Sequence, residues 1–107
     1  MDYFIGQIIM MGSRWIPKDF LPCDGRILPI ANNQAIFSLI GNTYGGDGRT
    51  NFALPNLMNK IPINSNTELN SNTVKRVMVS GHGTDISIPT TEVLYCICVN
   101  GIYPSIE

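Results

Sequence analysis

Charge is what this sequence has least of. Of its 107 residues only 14% are charged, seven basic against eight acidic, for a formal net charge of −1. About a quarter is usual in soluble domains. The near-neutral balance removes the positive footprint of a nucleic-acid binder, so no nucleic-acid partner is expected. Long apolar runs are missing as well. The chain is 44% hydrophobic with a mean hydropathy of +0.10, yet no uninterrupted stretch approaches the roughly 18 apolar residues that read as a spanning helix, so no membrane insertion is expected. There is a single histidine, His82, and the three cysteines, Cys23, Cys96 and Cys98, are too few and too uneven for a disulfide framework. The opening Met1-Asp2-Tyr3-Phe4 lacks a basic region and soon meets Gly6 and Gln7, which argues against a secretory signal peptide. A length near 100 residues gives one domain, 1–107, with a modest core. What remains is a compact domain with a poorly charged surface, of the kind that copies of the same chain often cover.

The apolar residues that are present are patterned for β-structure. Phe4, Ile5 and Ile8 to Met11 read as an N-terminal strand ended by Gly12-Ser13. Trp15, Phe20 and Cys23 then lie among Pro17, Pro22 and Gly25, an irregular packed region. Ile36, Leu39 and Ile40 fall at i, i+3 and i+4 of a short helix, with Asn32 or Asn33 as its cap and Gly41 to close it. Two turns are stable only when packed on a sheet. From Thr43 to Thr50 the glycine content excludes regular structure. Asn-Ser-Asn-Thr occurs twice between Asn64 and Thr73, as a surface excursion or hinge. A hairpin is expected from about Val74 to Ile88. Val93 to Val99 is apolar on both faces, as in a central strand. The fold expected is mainly β, α+β with one short helix and irregular Gly/Pro-rich loops.

Candidate chemistry is thin. His82 sits between glycines with no nucleophile pattern beside it, so a turn histidine is the simpler reading and no catalytic residue is assigned. It would ligate a metal only where an oligomer axis gathered several copies. Cys96 and Cys98 share one strand face. Without a companion Cys/His pair they read as buried packing rather than metal ligands, and no metal or other cofactor is expected. Gly45 to Gly48 invites a phosphate-loop reading but lacks the Gly-Lys-Ser/Thr ending. Asp24-Gly25-Arg26 and Asp47-Gly48-Arg49 repeat one tripeptide. Each reads as a turn in which Asp bonds local backbone and Gly takes positive φ. The functional alternative pairs Asp47 with Arg49 across a subunit contact. Trp15 and Tyr44 could stack on a sugar ring, although in so small a chain an aromatic is usually core.

From Ile5 to Ile63 the sequence resembles the phage tail collar domain family, the family of short tail fibres and microcystin-dependent proteins. The resemblance rests on Ile5-Gly6-Gln7-Ile8, Leu21-Pro22-Cys23-Asp24-Gly25, Leu28-Pro29-Ile30 and Ala35 to Gly41. Thr43 to Thr50 and Phe52-Ala53-Leu54-Pro55 complete it, and Tyr95-Cys96-Ile97 with Gly101 to Ser105 resembles the end of such proteins. Asp19-Phe20 stands where relatives have Gly-Trp. Pro55-Asn56-Leu57-Met58-Asn59-Lys60 stands where they have Pro-Asp-Leu-Arg-Gly-Arg, which removes an acid and two arginines. Residues 63–92 form a shortened variable insert without the His-x-His pair of longer relatives, so their metal site is not carried over.

The resemblance implies a non-enzymatic structural protein of a phage tail fibre or phage-derived extracellular particle, located on the virion tail or in such a particle or filament. It implies self-association, with a trimer favoured and a head-to-tail filament as the alternative, alongside other tail or particle proteins and contact with a host surface. A separate reading is a module binding a cell-surface glycan. Candidate binding or interface residues are Tyr44, Asp47, Arg49, Asp24, Arg26 and Trp15. Low charge and edge-capable strands at both ends of the chain suit assembly through strands or apolar surface.

Overall fold

The computed structural model describes residues 2–65 and 89–105. The chain runs β1 (Ile8–Met11), β2 (Phe20–Pro22), β3 (Ile27–Pro29), α1 (Gln34–Ile40), β4 (Asn51–Ala53) and β5 (Leu94–Cys98). Two antiparallel sheets result, one of order β1-β5-β2 and one pairing β3 with β4. The mainly β architecture with one short helix is therefore as the sequence implies. The expected hairpin from Val74 to Ile88, most of the Asn64 to Thr73 excursion, and His82 lie outside the described residues.

β5 is the organising strand because both its faces are apolar. Ile97 and Val99 enter the main core with Ile5, Cys23, Ile36, Phe52 and Leu54. The alternate residues Cys96 and Cys98 form a second cluster with Phe20, flanked by Tyr3, Ile9 and Met11. A strand with period-two side chains and apolar residues at every position needs cover on both faces. β5 obtains it from the main core on one face and the Phe20 cluster on the other, while β1 and β2 bond to its two edges. The C-terminal strand therefore offers no free edge, contrary to the expectation of edge-capable strands at both ends.

Two local expectations are corrected. The N-terminal apolar run is broken, because Gly6 at φ +90° and the Gln7 N–H to Phe4 C=O bond (3.0 Å) form a turn. Phe4 makes only an isolated parallel bridge to Ile102, and the strand starts at Ile8. Asn33 is the N-cap of α1, but its side chain makes no capping bond. Its Nδ2 donates instead to Pro29 C=O at 2.9 Å, tying the helix start to β3. Gly41 closes the helix through its N–H to Phe37 C=O.

All three cysteines are free and buried. Burial, with the neighbouring Cys96 and Asp24 adding to it, pushes the Cys23 thiol up from its ordinary 9.0 to about 12. A thiol whose folded pKa is raised contributes stability that is intact below its unfolded pKa and lost above it. The denaturation midpoint is accordingly expected to fall as pH rises from about 9 toward 12, and thiol reagents at neutral pH should react only after denaturant is added. Immediate titration of three thiols in the native protein would contradict this packing.

Candidate functional site

The segment from Asn42 to Thr50 has no regular structure, yet it is held by hydrogen bonds throughout. Gly45 N–H donates to Asn42 C=O, Gly48 N–H to Asn51 C=O, and Ala53 N–H to Gly45 C=O, at 3.1, 2.9 and 3.0 Å. Asp47 is the hub. Its Oδ1 accepts the N–H groups of Arg49, Thr50 and Asn51 at 2.8, 2.8 and 3.0 Å, and its Oδ2 accepts the Thr50 hydroxyl at 2.8 Å. Asp47 N–H in turn donates to Asn51 Oδ1 at 2.9 Å. These bonds hold the exposed carboxyl well below the usual carboxylate range, the backbone N–H of Arg49 foremost. A carboxylate with a depressed pKa stabilises the fold at neutral pH and loses that effect only as pH falls through the depressed value.

The first tripeptide closes differently. Asp24 Oδ1 accepts both Arg26 N–H and Arg26 Nε, each at 3.1 Å, and Oδ2 meets Nη2 at 3.0 Å. This forked pair is mainly what lowers the Asp24 pKa. Both glycines take positive φ, +79° at Gly25 and +72° at Gly48, so both tripeptides are the turns expected. A strap of Pro55 to Leu57 lies along the first, with Gly25 N–H donating to Pro55 C=O and Leu57 N–H to Cys23 C=O.

The six candidate residues differ in how far their own surroundings occupy them. Asp24 and Arg26 satisfy each other, and Asp47 is occupied by its own loop. Tyr44 is half-buried, and desolvation raises its pKa. Arg49 is exposed. Trp15 is 66% exposed, so of its two readings the structure sets aside packing in the core. It follows the Gly12–Ser13 bend and is tied there only by its N–H to Ser13 Oγ, at 3.4 Å. Among the described residues no three His, Cys, Asp or Glu side chains gather as metal ligands.

Two features were missed by sequence reasoning. One is a cleft of about 330 Å3 lined by Asp2, Tyr3, Lys18, Asp19, Phe20 and Asn100, among others, in which Tyr3 and Phe20 stack edge-on at 5.1 Å. It joins three segments far apart in sequence, so no local signal marks it. The other is the outward row Ile8 and Met10 of β1, which the sequence does not mark because all four residues of the strand are apolar.

The Phage Tail Collar Domain family model matches residues 6–62, a span that holds β1 to β4, α1 and both Asp-Gly-Arg turns. No curated protein and no solved structure matches the chain. Within that span, Asp19 and Asn59 stand where the resembling sequences carry glycine, and both have positive φ, +69° and +57°. Asp and Asn are the residues that replace glycine there at least cost. Asn56 Oδ1 accepts Met58 N–H at 3.0 Å, the turn bond that an aspartate would also make. The departures thus keep the backbone, while Asn56 and Met58 drop charge, Lys60 keeps it and Asp19 adds one. Asp19→Gly and Asn59→Gly should each leave stability unchanged or raise it, by up to about 1 kcal/mol. Urea denaturation checks this, and a clear loss would mean that the side chains are needed.

Proposed function

The chain belongs to the phage tail collar domain family, and from that premise we infer that it is a non-enzymatic structural component of a tail fibre that assembles with copies of itself. Collar domains are generally structural, and membership implies a place in the virion tail. Self-association is supported by one observation above all. Eleven large apolar side chains are exposed among the described residues, including Phe4, Met10, Trp15, Ile61, Ile63 and Tyr103, while Asp24–Arg26 is the single ion pair there. A small domain with so much uncovered apolar surface gains from burying it, at roughly 25 cal/mol per Å2. Contact with a host surface belongs to the same reading, since the fibre is the part of a particle that meets the cell.

Sedimentation of the purified chain over a range of concentrations tests the assembly. A mass that is a small multiple of 11.8 kDa is expected, and a monomer throughout would oppose it. Antibody labelling of intact particles tests the location: label on the tail supports the reading, and label on the head or none on the particle opposes it.

A further inference from the structure

Among the described residues β1 is the outermost strand of its sheet. Cys98 N–H donates to Gln7 C=O at 2.9 Å, and the register sets Ile9 against Cys96 and Met11 against Leu94. In an antiparallel ladder, residues that exchange hydrogen bonds alternate with residues that do not. Gln7, Ile9 and Met11 therefore bond inward, and the N–H and C=O of Ile8 and Met10 point out of the sheet edge. Such a row is a template for another strand unless charge, proline or a bulge blunts it. Ile8-Ile9-Met10-Met11 has none of these. The opposite edge is guarded, because β2 is three residues long and includes Pro22, which has no N–H to offer.

The side chains coincide with the backbone. Ile9 and Met11 pack on the Phe20, Cys96 and Cys98 cluster. Ile8 and Met10, on the other face, are 41% and 66% exposed, although the β5 residues opposite them, Ile97 and Tyr95, belong to the main core. Missing hydrogen bonds and missing apolar cover thus fall on the same two residues.

We propose that β1 pairs antiparallel with β1 of a second copy about a two-fold axis at Ile9, setting Ile8 opposite the partner's Met10 and Met10 opposite the partner's Ile8. The strand itself specifies this occupant. It and its flanks Gln7 and Gly12 carry no charge, so self-pairing brings no like charges together. In this register the outward N–H and C=O groups of both copies meet, and each exposed side chain covers the other copy's. The two three-stranded sheets become one of six. A head-to-tail joint of β1 to β2 would instead meet Pro22. The proposal rests on the self-association reading and names its interface.

The test uses native mass spectrometry and amide hydrogen exchange on the full chain, on Ile8→Glu, on Met10→Lys and on an equimolar mixture of the two variants. The wild type should form an even-numbered assembly in which the Ile8 and Met10 amides slow with concentration. Each substitution alone places charge against apolar surface twice across the axis, and should raise the dissociation constant at least about tenfold. Mixing them should restore a one-to-one heterodimer, because one Glu then faces one Lys and the remaining pair is Ile against Met. Ile8→Ser and Met10→Ser report on the same interface if a charged variant misfolds. An odd-numbered assembly, or one indifferent to these substitutions, leaves self-association standing and overturns the β1 joint. A monomer whose Ile8 and Met10 amides exchange freely overturns both readings. A monomer in which those amides are slow means that the edge is covered within one chain, which overturns the joint.

Discussion

Phe52→Ala is expected to cost about 3–5 kcal/mol of folding stability, a large part of the roughly 5–15 kcal/mol available to a domain of this size. Phe52 is fully buried, and it links several parts of the fold. On β4 it pairs with Leu28 of β3, its ring lies 5.3 Å from that of Phe37 on α1, and it shares the main core with Ile97 of β5. Truncation would leave a cavity where helix and both sheets meet. Phe52→Leu should cost clearly less, since it fills part of that space. Urea denaturation followed by circular dichroism measures both, and a loss below about 1 kcal/mol for the alanine variant would mean that the core is not fixed around this ring.

Gly46→Ala should be nearly as damaging for a different reason. Gly46 has φ +89°, and an added Cβ would stand 2.5 Å from Phe52 Cα and 3.0 Å from Asn51 C=O. The left-handed backbone alone costs about 1–2 kcal/mol for an alanine, and the displaced β4 backbone adds about 1–3 kcal/mol. Gly12 is the control, with open space around its Cβ position and no positive φ. Gly12→Ala should change stability by no more than about 0.5 kcal/mol. Equal effects from the two substitutions would refute the close approach of loop and strand.

The sequence disclosed those elements whose signal is local. Ile36, Leu39, Ile40 and Gly41 marked α1 because helical spacing and a closing glycine lie within one short window. Val93 to Val99 marked a central strand because both of its faces are apolar. Strands β2 and β3 went unforeseen, since three residues carry no period and these segments become strands only by pairing with β5 and β4. Asn33 was legible as a cap position but not in its bond to Pro29, which depends on where β3 ends. At the candidate site the two Asp-Gly-Arg turns were legible from the tripeptide. The fates of the two carboxylates were not, because Asp24 finds its own arginine whereas Asp47 meets Thr50 and the backbone that follows. The choice between core and surface for Trp15 was not legible, because hydrophobicity does not tell which side of a bend a ring takes.

The placement of β5 between β1 and β2 also bears on timing. Leu94–Cys98 is made more than 80 residues after Ile8–Met11, yet the register joins the two directly. Until β5 leaves the ribosome, β1 and β2 lack the strand that, among the described residues, joins them. Closing so long a loop is slow by nature, and unpaired strands invite association between chains that are still incomplete. Production of this protein is thus expected to depend on how soon Leu94–Cys98 docks between β1 and β2 once it has been made.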